Sequence, residues 1–159
     1  MKKGKNMKII GMAFIALLLF CSQTLSQTCD YEKEIKVLAL NMYHEARGEG
    51  HEGHDGMQMV GEVTLNRVEN KNFPDNICDV VYQRSQFSWT KTKKDHTPYN
   101  EKLWAESLEM AENLINGEVE YFNNGATHFL NPDKLKRMPT WAIKFEKVGR
   151  IGNHIFYAM

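Results

Sequence analysis

Apolar positions recur along this chain with two different periods. From residue 33 to 47, "KEIKVLALNMYHEAR" places Ile35, Leu38, Ala39, Met42, Tyr43 and Ala46 at helical spacing, so one apolar stripe runs down a predicted helix that Gly48 stops. Asp55 suits the cap of a second helix, "GMQMVGEVTLNRVEN", with Met57, Val60, Gly61, Thr64, Leu65 and Val68 inward. "FPDNICDVVYQ" predicts a short third helix begun by Pro74, with Ile77, Val80 and Val81 inward. Residues 84–100 show no clean period and read as a long loop, a class of segment that tends to carry function. Helical spacing returns through Leu103, Trp104, Leu108, Ala111 and Leu114 or Ile115, ending at Gly117. Beyond it, "ATHFL" and "FEKVGRIGNHIFYA" favour β-branched and aromatic residues, and Gly152-Asn153 supplies a hairpin turn. The expectation is an α+β domain, mostly helical with a small C-terminal antiparallel sheet.

The first 26 residues do not fit that domain. "MKKGKNMK" holds four lysines and no acid, and "IIGMAFIALLLF" is unbroken and apolar. A basic start before about twelve apolar residues is the pattern of a secretory signal, short for a membrane span. Small residues at Thr24 and Ser26 suggest cleavage before Gln27, and Phe20 ahead of Cys21 speaks against a lipoprotein site. An uncleaved N-terminal anchor is the other reading, and either way contact with a membrane is confined to this segment. The remaining 27–159 suffice for one domain, taken to be a monomer, acting outside the cytoplasm.

Without residues 1–26 the chain carries 16 basic and 20 acidic residues, a net of −4. No broad cationic field follows, so nucleic acid is not an expected partner. Export leaves Cys29 and Cys78 open to two readings, a disulfide or a pair of free thiols.

Candidate chemistry crowds into "NMYHEARGEGHEGHDG", residues 41–56. A zinc-protease helix needs two histidines four apart around a glutamate, and His44-Glu45 lacks the second. His51 and His54 lie in a glycine-rich turn beside Glu52 and Asp55 without a third ligand at a familiar spacing, so no metal or other cofactor is expected. At about 100° per residue, Glu45 falls about 20° from Leu38, at the edge of the apolar stripe, while His44 points to the wet side. Lost hydration at such an edge raises a carboxyl's pKa, as a general acid near neutral pH requires. A solvated glutamate paired with Arg47 is the plainer alternative.

Residues 42–89, "MYHEARGEGHEGHDGMQMVGEVTLNRVENKNFPDNICDVVYQRSQFSW", resemble the catalytic domain of the spore-cortex-lytic, SleB/CwlJ-type cell wall hydrolases. The likeness continues through "THFLNP", "PTW" and "IGNHIFY" and so covers nearly all of 27–159. It implies a lysozyme-like or lytic-transglycosylase-like fold acting on peptidoglycan glycan strands, between N-acetylmuramic acid and N-acetylglucosamine. Carried over residue by residue, it makes Glu45 the catalytic acid, with Glu49 in a supporting role, paired with Arg47 or ordering the turn. No second carboxylate occupies a matching motif. The resemblance therefore favours lytic transglycosylation by one glutamate over hydrolysis by a muramidase. A zinc-dependent cell-wall peptidase and a non-catalytic glycan-binding module are the remaining alternatives.

Gln86, Phe87 and Ser88 are the expected sugar contacts, with Phe87 as an anchor for the loop in the alternative reading. Tyr43 and His128 either line the groove or pack. Asn66 and Arg67 match the motif and are expected to brace the catalytic helix from behind, while Trp141 and His154 fix the hairpin. Two departures from the family pattern stand out: Glu62 occupies a place where a small apolar residue is expected, and the turn "GEGHEGHDG" is long. No cell-wall-binding repeat precedes the domain, so a bare catalytic module is expected.

Overall fold

The structure, a computed structural model, describes residues 29–46, 53–92, 95–122 and 124–159. Residues 1–26, read as a signal, and Arg47, Gly48, Glu49, His51 and Glu52 lie outside them. No helix among the described residues is long and apolar enough to cross a membrane.

Helix α1 (Tyr31–Ala46) buries the stripe predicted for it, from Ile35 through Leu38, Ala39, Met42 and Tyr43 to Ala46. Val37 and Asn41 are buried as well, so α1 has neighbours on more than one side. It packs against α2 (Gly53–Val68), α3 (Ile77–Tyr82) and α4 (Glu101–Asn116). Helix α2 begins two residues ahead of Asp55, which is exposed in its first turn and does not cap it. Its buried face is also wider than the predicted one. Met59, Glu62, Val63 and Arg67 join Met57, Val60, Gly61 and Thr64 inside, because α2 runs between the helical core and the sheet. Gly61 marks the tightest approach. A Cβ there would stand 2.5 Å from Leu114 Cδ1 and 3.1 Å from Met42 Sδ.

Helix α3 starts later than Pro74 suggests. Asn76 caps it, accepting from the Asp79 N–H at 2.9 Å, since its extended backbone and amide oxygen meet the orphan donors of the first turn. A disulfide joins Cys29, ahead of α1, to Cys78 of α3 across 49 residues, with Cα atoms 6.0 Å apart. Of the two readings open for these cysteines, the bridge is the one found.

The loop after α3 contains one 3₁₀ turn, Trp89–Lys91. Asn100 caps α4 through the Leu103 N–H, and Gly117, at φ 70°, ends it in the left-handed conformation that only glycine adopts without cost.

The sheet has order β1-β3-β2 and is antiparallel throughout, built from β1 (His128–Leu130), β2 (Glu146–Ile151) and β3 (His154–Ala158). Gly152, at φ 53°, takes the first place of the two-residue hairpin turn, as a type II′ turn needs. Lys147 pairs with Tyr157 and Gly149 with Phe156, which leaves Val148 as a one-residue bulge. Phe156 and Phe129 on one face meet Met59 and Val63 of α2. A five-residue helix that the sequence pattern did not reveal, α5 (Thr140–Lys144), covers the other face. Its Trp141 ring meets His128 at 5.0 Å and Tyr157 at 5.4 Å.

Glu62 is 1% exposed, yet its carboxylate is satisfied. It accepts from Gln58 Nε2 at 2.9 Å and from the Phe122 N–H at 2.9 and 3.1 Å. Gln58 in turn donates to the Glu120 carbonyl. The unexpected acid therefore ties the strand-free stretch after α4 to α2.

Candidate active site

A cleft of about 430 Å³ opens between the C-terminal end of α1, the loop after α3 and the entry to the sheet. His44, Glu45, Arg67, Gln86, Ser88 and Lys134 supply its polar lining, and Phe129, Leu130, Leu135 and His154 its apolar and aromatic wall. Glu45 is the only carboxylate among the described residues that line it. A roomier depression bordered by Asn66, Asn70 and Asn72 lies elsewhere; its acid and cation, Glu69 and Lys71, accompany amides and lack the aromatic wall of the cleft.

Glu45 keeps the stripe-edge place that its helical phase predicts and is half-buried. Burial pushes its carboxyl above the ordinary value of 4.5. Lys134, a hydrogen bond from the Ser88 backbone and Arg67 oppose that push, in this order, without cancelling it. The result is a carboxyl that holds its proton longer than a surface glutamate and has cations at hand once the proton leaves.

Arg67 comes from the last turn of α2 and is 4% exposed. Its Nε donates to the Thr127 carbonyl at 2.7 Å, and its guanidinium lies 5.1 Å from the Phe87 ring centre and 5.3 Å from that of Phe73. Burial brings its pKa down to about 10, with Glu45 acting against the fall, so it remains a cation at neutral pH. Nη1 is buried and has no hydrogen-bond acceptor among the described residues. Asn66 donates to the Ala126 carbonyl at 2.9 Å. Both residues thus anchor the segment entering β1. Arg67 also lines the same cleft as Glu45 of α1 and interacts with it electrostatically.

Three expected substrate contacts are corrected. Tyr43 is fully buried, and its hydroxyl accepts from the Tyr99 and Asn100 N–H groups at 3.2 Å, so it ties the loop to α1 and touches no groove. Phe87 is 2% exposed, clamped between Arg67 and Phe129, which makes it the anchor of its loop. His128 faces away from the cleft, since neighbouring strand residues point to opposite sides and Phe129 takes the cleft side. Its ring packs among Phe73, Trp141 and Phe145. Gln86 and Ser88, in contrast, do line the cleft.

His44 is also corrected. The helical phase sends it toward solvent, but the loop of residues 84–100 folds over that side. His44 stacks on Trp89 at 4.8 Å, and its Nε2 donates to the His96 carbonyl at 3.0 Å. The Trp89 indole N–H donates to Asn41 Oδ1 at 2.9 Å, while Asn41 Nδ2, fully buried, donates to Thr64. His154, expected only to fix the hairpin, borders the cleft beside Phe129 at 5.1 Å. Lys134, Asn131 and Leu135 were not singled out in sequence, because a turn between two strands has no period to reveal where it points.

Of the histidine-rich turn, His51 is outside the described residues, and His54 is exposed with Asp55 3.9 Å away. Among the described residues no three His, Cys, Asp or Glu side chains gather as a metal site requires.

The family of this fold and cleft is established by comparison. The cell wall hydrolase family model matches residues 51–157, and the chain belongs to that family. The match begins beyond α1, so it takes in α2 through β3 and leaves Glu45 just ahead. Among curated relatives, the spore cortex-lytic enzyme of Halalkalibacterium halodurans is 30% identical over 125 residues, 79% of this chain and 34% of that protein. The spore cortex-lytic enzyme of Bacillus subtilis is 29% identical over 123 residues, 77% of this chain and 37% of that protein. The chain thus spans little more than a third of the length of these relatives. Among solved structures, the catalytic domain of the Bacillus cereus SleB protein superposes with a TM-score of 0.61 at 26% identity, covering 79% of this chain and 90% of that one. The catalytic domain of the germination-specific lytic transglycosylase SleB from Bacillus anthracis gives 0.59 at 26% identity, covering 78% and 93%. The fold is that of the SleB catalytic domain.

Proposed function

We propose that this protein is an exported enzyme that cleaves peptidoglycan glycan strands between N-acetylmuramic acid and N-acetylglucosamine, as a lytic transglycosylase with Glu45 as its single acid and base. The observation that carries the reading is one half-buried carboxyl with a raised pKa in a cleft whose described lining holds two cations, aromatic rings and neutral polar groups and no second carboxylate. The names of the relatives, spore cortex-lytic enzymes and a lytic transglycosylase, point the same way.

Protonated Glu45 gives its proton to the glycosidic oxygen as the bond from that oxygen to muramyl C1 breaks. A classical retaining glycosidase would meet the resulting oxocarbenium-like centre with a second carboxylate about 5–5.5 Å away. The described lining offers none, and the muramyl 6-hydroxyl takes that role. Its oxygen bonds to C1, its proton passes to the Glu45 carboxylate, and a 1,6-anhydro ring closes with no water consumed. Between the two transfers Glu45 is an anion, and Lys134 and Arg67 stabilise it then. Gln86 and Ser88 are placed to hydrogen-bond sugar hydroxyl and acetamido groups. Residues 1–26 act as the export signal, and Glu49 and Arg47 have a supporting role.

Digestion of purified peptidoglycan by the wild type and by Glu45→Gln, with products identified by mass spectrometry, tests this. Anhydromuramyl ends made only by the wild type are expected. Reducing muramyl ends would mean hydrolysis, cut cross-links a peptidase, and undiminished release by Glu45→Gln would remove the assignment of the acid.

A further inference from the structure

Charge is segregated along this chain. Residues 132–151 hold six cations, Lys134, Lys136, Arg137, Lys144, Lys147 and Arg150, against two acids, although the chain beyond residue 26 is net −4 as a whole. All six are exposed, and among the described residues none makes a close ion pair. A run of like charge on a surface is ordinarily a solvated face. This one differs in where it begins: Lys134 and Leu135 line the cleft, and Lys136 and Arg137 follow directly from them. Leu135 and Met138, both exposed, set apolar surface between the charges. Inside the cleft, Arg67 adds a buried cation whose Nη1 lacks an acceptor. The cationic character therefore runs from the cleft lining, through Lys134, into Lys136 and Arg137 at its margin, while Lys147 and Arg150 lie on the sheet face that α5 covers.

We infer that this basic margin binds the carboxylates of the strand being cut, those of the muramyl lactyl groups and peptide stems, and so selects glycan bearing negative charge over neutral glycan. This rests on the reading of the cleft as a glycan-strand site. A sugar chain by itself is uncharged and gives six cations nothing to pair with. In a peptidoglycan strand every second sugar carries a lactyl carboxyl or a peptide extending from it, and these groups flank the bond presented to Glu45. Lys134 has two contacts to divide, the Glu45 anion during turnover and a substrate carboxylate. Lys136 and Arg137, outside the cleft lining, have only the second.

The test uses sacculi stripped of phosphate polymers, either native or with their carboxyl groups converted to amides by carbodiimide and ammonium. Binding of the Glu45→Gln variant is measured by co-sedimentation, and release of anhydromuramyl ends by the wild type is followed on the same two materials. Native sacculi are expected to bind about tenfold more tightly than amidated ones. Lys136→Glu with Arg137→Glu should lower native binding to the amidated level, as should added salt. Equal binding to both materials, or no effect of the charge reversal, would overturn the inference. So would equal binding to both combined with capture on phosphatidylglycerol vesicles, which would assign the patch to an anionic lipid surface. Equal cleavage rates on the two materials would refute charge selection and leave the lytic reading standing. A preference of Glu45→Gln for native sacculi with no fragment released by the wild type would do the reverse.

Discussion

Lys134 and Glu45 line the same cleft and interact through space without forming a close ion pair. Among the charged neighbours of Glu45, Lys134 does most to hold its carboxyl down against burial. In the proposed mechanism Glu45 must be protonated in the free enzyme, so kcat/KM is expected to fall as pH rises through a pKa above 4.5. Replacing Lys134 with methionine removes a stabiliser of the anion, and this alkaline limb should move to higher pH. A pH profile of anhydromuramyl release for both proteins checks the direction, and a limb displaced to lower pH contradicts it.

Glu45→Gln is expected to lower activity by at least about 10²–10⁴-fold and to raise stability at the same time. The sign follows from the raised pKa. Above the ordinary carboxylate value the unfolded chain ionises Glu45 more readily than the folded one, so its burial costs stability through that window and beyond. The neutral amide escapes this cost, by about 0.5–1 kcal/mol at pH 7. Thermal unfolding should show the gain at pH 7 and not at pH 3.5.

His128 should shape the acid side of the stability curve. Burial first, and Arg67 second, bring its pKa from 6.5 to about 4. Between those values the unfolded state takes up a proton that the folded state refuses, so stability is lost as pH falls from 6.5 to about 4 and levels off below. The ring is partly exposed, and solvent screening limits the loss to about 1 kcal/mol. Urea titrations of wild type and His128→Phe across this range should show this loss as a difference between the two proteins, the wild type falling further as pH drops from 6.5 to about 4.

Glu62→Ala should lower stability by about 2–4 kcal/mol, because the Phe122 N–H and the Gln58 amide each lose an acceptor that is itself 1% exposed. Denaturant unfolding measures it. Glu62→Gln, which keeps one oxygen in place, should cost less.

Reduction of the Cys29–Cys78 bridge releases a 49-residue span in the unfolded chain. Loop-closure entropy puts the loss near about 4 kcal/mol. Comparing unfolding of the Cys29→Ser protein with the wild type, in the presence and absence of a thiol reductant, tests it. Only the wild type should respond to the reductant.

Much of this fold was legible in periodicity, because α4 buries one stripe and leaves the opposite side wet, and α1 buries its predicted stripe along with Val37 and Asn41. Helix α2 was harder. Packed by helices on one side and by Phe129 and Phe156 on the other, it buries Glu62 and Arg67 along with its apolar residues, and a one-sided wheel misses them. Helix α5 has five residues, too few to show a period. In the cleft, Glu45 was legible from its phase on α1. Tyr43 and Phe87 misled because an aromatic residue in a motif reads alike whether it meets a sugar or the core. His44 and Lys134 depended on segments folding back from far along the chain, which no local pattern records.

Asn41 and Glu45 are one helical turn apart on α1, and Asn41 holds the Trp89 indole. The helix pitch, about 5.4 Å per turn, therefore serves as a gauge between the acid and the loop whose Ser88, next to Trp89, lines its cleft. The loop that carries Ser88 and Trp89 takes its position from α1 itself, so a slight rotation of α1 would carry Glu45 and the Ser88 side of the cleft together.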